Sequence, residues 1–182
     1  LSYSNTFAGK HKIDVVGGYT SQTFNGDVFS ASKRDYLNED PNQRYLDAGQ
    51  SLGGIGGNRY YDALQSVFGR LNYDYDRRYL FTATFRADGS SKFAEGNKWG
   101  YFPAFSAGWR ISQEKFFNVK FIDELKLTAG WGQLGNQNVG GLQYLALIGN
   151  GGMYSFNNNT VVSATQARLP NYNISWETAE MT

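Results

Sequence analysis

The 182 residues suit one domain by length, and 22 glycines, 16% aromatic side chains and no cysteine favour strands and turns over helices while excluding a disulfide-stapled mini-domain. The 17 basic and 16 acidic side chains leave a net charge of +1 without a basic cluster, which argues against nucleic acid as a partner. No apolar run is long enough for a membrane helix and no leader peptide opens the chain, but a mean hydropathy of -0.50 is compatible with membrane strands, whose apolar residues occupy every second position.

The chain opens at Leu1 and stops at Met181-Thr182 within strand-like sequence, so both ends are expected to be cuts and Leu1–Phe7 to be a truncated strand. A tight turn over Ala8–His11 leads into Lys12–Ser21, where Ile13, Val15, Gly17 and Tyr19 alternate with Lys12, Asp14, Val16, Gly18 and Thr20. A long polar loop is expected over Asn25–Asp62, with Gly53–Asn58 as a flexible tip. In Ser66–Tyr75, Val67, Gly69, Leu71, Tyr73 and Tyr75 oppose Ser66, Phe68, Arg70, Asn72 and Asp74; after a tight turn at Asp76–Arg78, Tyr79–Asp88 sets Tyr79, Phe81, Ala83, Phe85 and Ala87 against Leu80, Thr82, Thr84, Arg86 and Asp88. A loop over Gly89–Lys98 precedes Phe102–Ile111, which sets Pro103, Phe105, Ala107, Trp109 and Ile111 against Phe102, Ala104, Ser106, Gly108 and Arg110. In Ser112–Glu124, the spacing of Phe116, Phe117, Phe121 and Ile122 predicts a small amphipathic helical turn at a membrane interface. Leu125–Leu134 alternates again, Gly135–Asn173 reads as a long loop, and Ile174–Thr182 as a second truncated strand.

Segments of about ten residues have the length a tilted strand needs to cross hydrocarbon, and short turns alternate with long loops as they do at the periplasmic and external ends of an outer-membrane barrel. Tyr73, Tyr75, Tyr79 and Trp109 at the short-turn end, with Tyr19, Tyr101 and Trp131 at the loop end, read as two aromatic girdles. A soluble β-sandwich also alternates, but its strands are shorter and its turns are not sorted by length. The expected fold is therefore all-β, an antiparallel transmembrane β-barrel segment of about six or seven strands.

Catalytic chemistry finds no support. His11 is the only histidine, sits in a predicted turn between Lys10 and Lys12, and is expected to be a solvated surface residue, so neither a zinc site nor a Ser-His-Asp set can be assembled. Glu39-Asp40 and Asp123-Glu124 are neighbours in loops rather than opposed acids. The glycine run lacks the Lys-Ser/Thr of a phosphate loop, and Asp35, Asn38, Glu39, Asp40 and Asn42 do not follow calcium-loop spacing. The acceptor patterns at Asn158 and Asn173 carry no weight. No metal, cofactor or enzymatic activity is expected.

The succession Arg70–Tyr75, Tyr79–Phe93, Trp99–Ile111, Leu125–Gly132 and Gly135–Gln137, with Leu169–Asn171 and Ile174–Glu177, resembles the barrel of SusC/RagA-type TonB-dependent transporters. The resemblance implies a plugged barrel of about 22 strands, of which residues 1–182 are part of the wall, with the plug and the TonB-contacting segment missing. It also implies import of glycan fragments or peptides across a Bacteroidota-type outer membrane, powered through the TonB complex and closed outside by a SusD-like lipoprotein. Outer-membrane lipid would then meet the apolar face, while Arg70, Asn72, Asp74, Thr82, Thr84, Arg86, Asp88 and Arg110 would face the lumen. Tyr36, Tyr45, Tyr60, Tyr61, Tyr144, Tyr154 and Phe156 in the long loops are candidates for ligand or lid contact, because aromatic faces stack on sugar rings and peptide side chains. The alternative is an outer-membrane or surface adhesin or carbohydrate-binding β-protein that binds without transport.

Overall fold

The computed structural model describes every residue except Glu39 and Lys120. In chain order its strands are β1 (Ser2–Phe7), β2 (His11–Tyr36), β3 (Gly49–Tyr75), β4 (Tyr79–Ser90), β5 (Trp99–Arg110), β6 (Lys126–Asn136), β7 (Leu147–Phe156), β8 (Asn159–Arg168) and β9 (Glu177–Met181). Seven strands form one sheet in the order β1-β2-β3-β4-β5-β6-β9, and β7 pairs with β8 in a separate two-stranded sheet. Sheet order thus follows chain order apart from the β7–β8 excursion, and the pairings of β1 with β2 and from β3 through β9 are antiparallel.

Both tight turns form where expected. Lys10 N–H donates to the Phe7 carbonyl at 3.1 Å and Arg78 N–H to the Tyr75 carbonyl at 2.9 Å. Their central residues, Ala8 and Gly9 in one and Asp76 and Arg77 in the other, all have positive φ. That hand matches the right-handed twist of the flanking strands, which turns with negative φ would splay apart.

Register produces the two faces. Leu71 opposes Ala83, Ala83 opposes Phe105, and Phe105 opposes Trp131, so one row of apolar side chains crosses four strands. Val67, Leu71, Phe81, Phe85, Phe105 and Leu127 on this face are exposed. A groove of about 400 Å³ runs across it between Val15, Leu71, Phe85, Pro103 and Phe105. A soluble sandwich would cover this face with a second layer, and among the described residues none does.

Contacts divide the chain into two compact units, Leu1–Gln22 with Ala63–Thr182, and Thr23–Asp62. The second unit corrects the sequence reading, because β2 and β3 continue through most of the predicted Asn25–Asp62 loop and leave only residues 37–48, with a 3-10 turn at Pro41–Gln43, as the connection. The glycine run is strand, not a flexible tip: Gly53 lies against Ser32, Gly56 against the Ser30 hydroxyl and Gly57 against the Val28 carbonyl. Apolar alternation reports a buried or lipid-facing side, so a ladder whose few apolar residues, such as Val28, Phe29, Leu52 and Ile55, fall on both parities escapes it. Likewise β7 and β8 occupy part of the predicted Gly135–Asn173 loop.

Three further expectations change. Ser112–Glu124 forms no α-helix among its described residues; a 3-10 turn at Ile111–Gln113 is followed by turns closed by Phe117 N–H on the Glu114 carbonyl and Ile122 N–H on the Val119 carbonyl. Trp131 stacks on Phe105 in mid-strand at 6.3 Å instead of marking the loop end, where Trp99 and Tyr101 sit in register with Gly89 and Ala87. His11 opens β2, and its Nδ1 lies 2.8 Å from the Tyr73 hydroxyl while its ring packs on Tyr75, so it is part of the aromatic belt and not a solvated turn residue.

Candidate functional site

The polar residues of β3 and β4 meet in cross-strand pairs, because residues of one parity share a face and the register places Arg70 opposite Thr84 and Asn72 opposite Thr82. Thr82 Oγ1 donates to Asn72 Oδ1 at 3.1 Å and Arg70 Nε to Thr84 Oγ1 at 3.4 Å. Further along, Arg86 Nε pairs with Asp88 Oδ2 at 2.8 Å and its Nη2 donates to Ser66 Oγ at 3.0 Å, while the guanidinium stands 5.9 Å over the Phe68 ring. The phenyl ring of Phe68 fits this polar row by lying against Gly18, where any Cβ would collide with it. A cavity of about 320 Å³ covers the face between Lys12, Asp14, Asn72, Asp74, Thr82, Ser106, Lys126 and Thr128. Asp74 and Asp88 each keep one buried carboxylate oxygen without a hydrogen bond among the described residues. Arg110 stands apart at the short-turn end, where Nη1 donates to the Arg77 carbonyl at 3.4 Å and Nε is 3.9 Å from Glu124.

An aromatic knot that sequence reasoning missed sits at the other end of these strands. Phe93, from the connection after β4, is fully buried at 0% exposure and packs 5.3 Å from the Trp176 ring, which meets Phe102 edge-on at 5.4 Å. Trp176 Nε1 donates to the Lys98 carbonyl at 2.9 Å, Asn97 Nδ2 to the Tyr172 carbonyl at 2.9 Å, and Ala63 N–H to Ser91 Oγ at 2.8 Å. The Phe102 ring occupies the space beside Gly100 and Gly135 that any side chain there would fill. The available signal was parity: Phe102 and Phe68 are bulky rings at polar-face positions, which implies that something covers them.

The loop aromatics do not converge. In the Thr23–Asp62 unit, the hydroxyl end of Tyr60 lies against Gly26, and with Asn25, Asp27, Arg59 and Tyr61 it lines a cavity of about 420 Å³. Arg59 holds Asp27 through Nε at 2.6 Å and Nη2 at 3.2 Å, which fixes both side chains beside the rings. Tyr36 ends β2 half-buried, and Tyr45 is exposed in the connection. Elsewhere Tyr154 and Phe156 meet edge-on at 6.4 Å on β7, and Tyr144 lies in the turn before it. The residues weighed for calcium are engaged locally: Asp40 caps the 3-10 turn through Asn42 N–H, Asn38 donates to Gln43, and Asp35 accepts from Ser51. Glu39 lies outside the described residues.

No family model matches the chain. It is 34% identical over 97% of its length to TonB-dependent receptor P39 of Formosa agariphila and 44% identical over 64% of its length to TonB-dependent receptor SusC of Bacteroides thetaiotaomicron. The sequence is that of part of a SusC-like TonB-dependent receptor. The RagAB peptide transporter structure superposes on 97% of the chain with a TM-score of 0.78 at 22% identity, a likeness of fold. The chain spans 17% of the P39 receptor and 12% of SusC. That relation puts the sheet in the outer membrane as part of a β-barrel, where every backbone N–H and C=O in hydrocarbon must be paired along the ladder.

Proposed function

We propose that residues 1–182 are part of the barrel domain of a TonB-dependent transporter that imports glycan fragments or peptides with a SusD-like lipoprotein as its external lid. The carrying observation is the two-faced sheet: an unbroken apolar row on one side and on the other a polar row in which Arg70, Asn72, Thr82, Thr84, Arg86 and Asp88 are paired through side chains and Asp74 stands beside them. In this reading the polar row, with Arg110, faces the lumen of a barrel of about 22 strands. The spare acceptors of Asp74 and Asp88 serve a plug domain packed against that wall. Coupling to the TonB complex belongs to protein outside these residues. RagAB is a peptide transporter and the resemblance to SusC-type transporters implies glycan fragments, so the substrate class is either.

The deciding experiment is uptake by cells carrying the full-length receptor, its deletion, or the receptor without TonB, given labelled oligosaccharides and labelled peptides in parallel. Loss of uptake of one class in both the deletion and the TonB-lacking strain is expected, together with co-purification of a lipoprotein. Ligand binding that persists with no TonB-dependent accumulation of either class would favour an adhesin.

A further inference from the structure

The segment after β5 has no part in the transport reading, yet it is fastened to the lipid-facing side. Tyr79 opposes Trp109 on the apolar face at the short-turn end. Glu114 reaches back to both: the Tyr79 hydroxyl donates to its Oε1 at 2.8 Å and the Trp109 indole N–H at 3.1 Å, while Arg78 Nη1 sits 3.4 Å from Oε2. Phe116 follows, edge-on to Trp109 at 6.4 Å. The connection therefore turns out of the sheet toward the aromatic belt, instead of hanging straight below the strands.

The segment presents two largely exposed rings, Phe116 being 69% exposed beside Trp109 and Phe121 87% exposed. The N–H groups of Ser112, Glu114, Phe117 and Ile122 donate to carbonyls within the connection or at its ends, which closes its turns. The apolar surface is continuous from Phe81 and Leu127 through Tyr79 and Trp109 to Phe116, and its upper part is the exposed apolar face of a sheet that lies in the outer membrane as barrel wall. Aromatic rings favour the headgroup boundary, and the adjoining exposed Lys115 suits phosphate.

We propose that residues 111–125 form a strap that docks on the phospholipid leaflet at the short-turn end, with Phe116 and Phe121 seated at the headgroup–acyl boundary and Glu114 clamping the strap to Tyr79 and Trp109. This needs membrane location only and stands whether or not the receptor transports anything.

The test uses the full-length receptor in a single-cysteine background, reconstituted in vesicles of phosphatidylethanolamine and phosphatidylglycerol. Bimane labels at Phe116→Cys and Phe121→Cys are compared with Phe85→Cys in mid-wall and Asn157→Cys in a hairpin turn. Quenching by lipids brominated near the headgroup should exceed that at Asn157→Cys by about twofold or more, with iodide quenching correspondingly weaker. Glu114→Ala should restore iodide access at position 116 while Phe85→Cys is unchanged. Should Phe116→Cys fail to insert, Lys115→Cys reports the same depth. Iodide quenching equal to that at Asn157→Cys would overturn the proposal, and so would labels shielded from both quenchers, which would mean that protein covers the strap.

Discussion

At the scale of single residues, position in the wall decides what a charge costs. Phe85 lies near the middle of β4 on the apolar face, opposite Pro103 and Gly69, whereas Thr84 beside it points to the polar row and pairs with Arg70. We expect Phe85→Arg to destabilise the full receptor by roughly 2–4 kcal/mol, the usual cost of a cation at the bilayer midplane, and Thr84→Lys to change stability little. Folded receptor in the membrane fraction, read as the heat-modifiable band, measures both; equal yields would overturn the assignment of faces. Leu127 belongs to a milder class, because its pairing with Trp109 puts it in the boundary zone. Glu114 gives a pH prediction. Its carboxyl is held below the usual range by the Trp109 indole N–H first, then the Tyr79 hydroxyl, with Arg78 adding attraction against partial desolvation. A depressed native pKa means that the clamp contributes fully above the ordinary glutamate range and is lost as pH falls through the lower native value. Iodide access at Phe116→Cys should thus be flat from neutral pH down to that range and rise only in stronger acid, a step absent in Glu114→Gln.

Elements differ in how plainly the sequence announced them. The central hairpin of β3 and β4 was legible, because an apolar face and a mostly polar one give Val67–Tyr75 and Tyr79–Ala87 a period of two that only Phe68 and Leu80 interrupt. The outer halves of β2 and β3 were hidden, since Ser30, Ser32, Gly53 and Gly56 lie among them and Phe24, Val28, Phe29, Leu52 and Ile55 fall on both parities without a period of two. The knot of Phe93, Phe102 and Trp176 was hidden for another reason: its parts come from three separated segments, and only the fold brings them together. It ties the β4–β5 connection to the segment before β9. Removing Trp176 strips an edge-on ring contact and the hydrogen bond to the Lys98 carbonyl. Trp176→Ala is therefore expected to speed amide exchange across residues 91–98 without altering exchange in mid-β4. Gly135→Val should act on the same knot from the other side, driving a side chain into the space of the Phe102 ring at a cost of about 1–3 kcal/mol. A lowered melting temperature of the full receptor would register it.

For the molecule as a whole, the sheet's edges carry the argument. β1 and β9 each pair on one side only among the described residues, through β2 and β6 respectively. An unpaired N–H or C=O in hydrocarbon costs several kcal/mol, so a lipid-facing sheet is stable only when the ladder closes on itself. Seven strands in this sheet fall below the eight that enclose even a side-chain-filled interior. The same count explains the scarcity of buried side chains, for Phe93, Ala94 and Phe102 make a core far too small for a soluble protein of this length. Residues 1–182 expressed alone should consequently yield neither a protease-resistant band in phospholipid vesicles nor a monomeric soluble species, and should associate through the β1 and β9 edges. The full-length receptor under identical conditions should give the resistant, heat-modifiable form. A monomeric, detergent-free, folded species of residues 1–182 would show that the apolar row needs no lipid, and the division of faces on which the wall depends would fail with it.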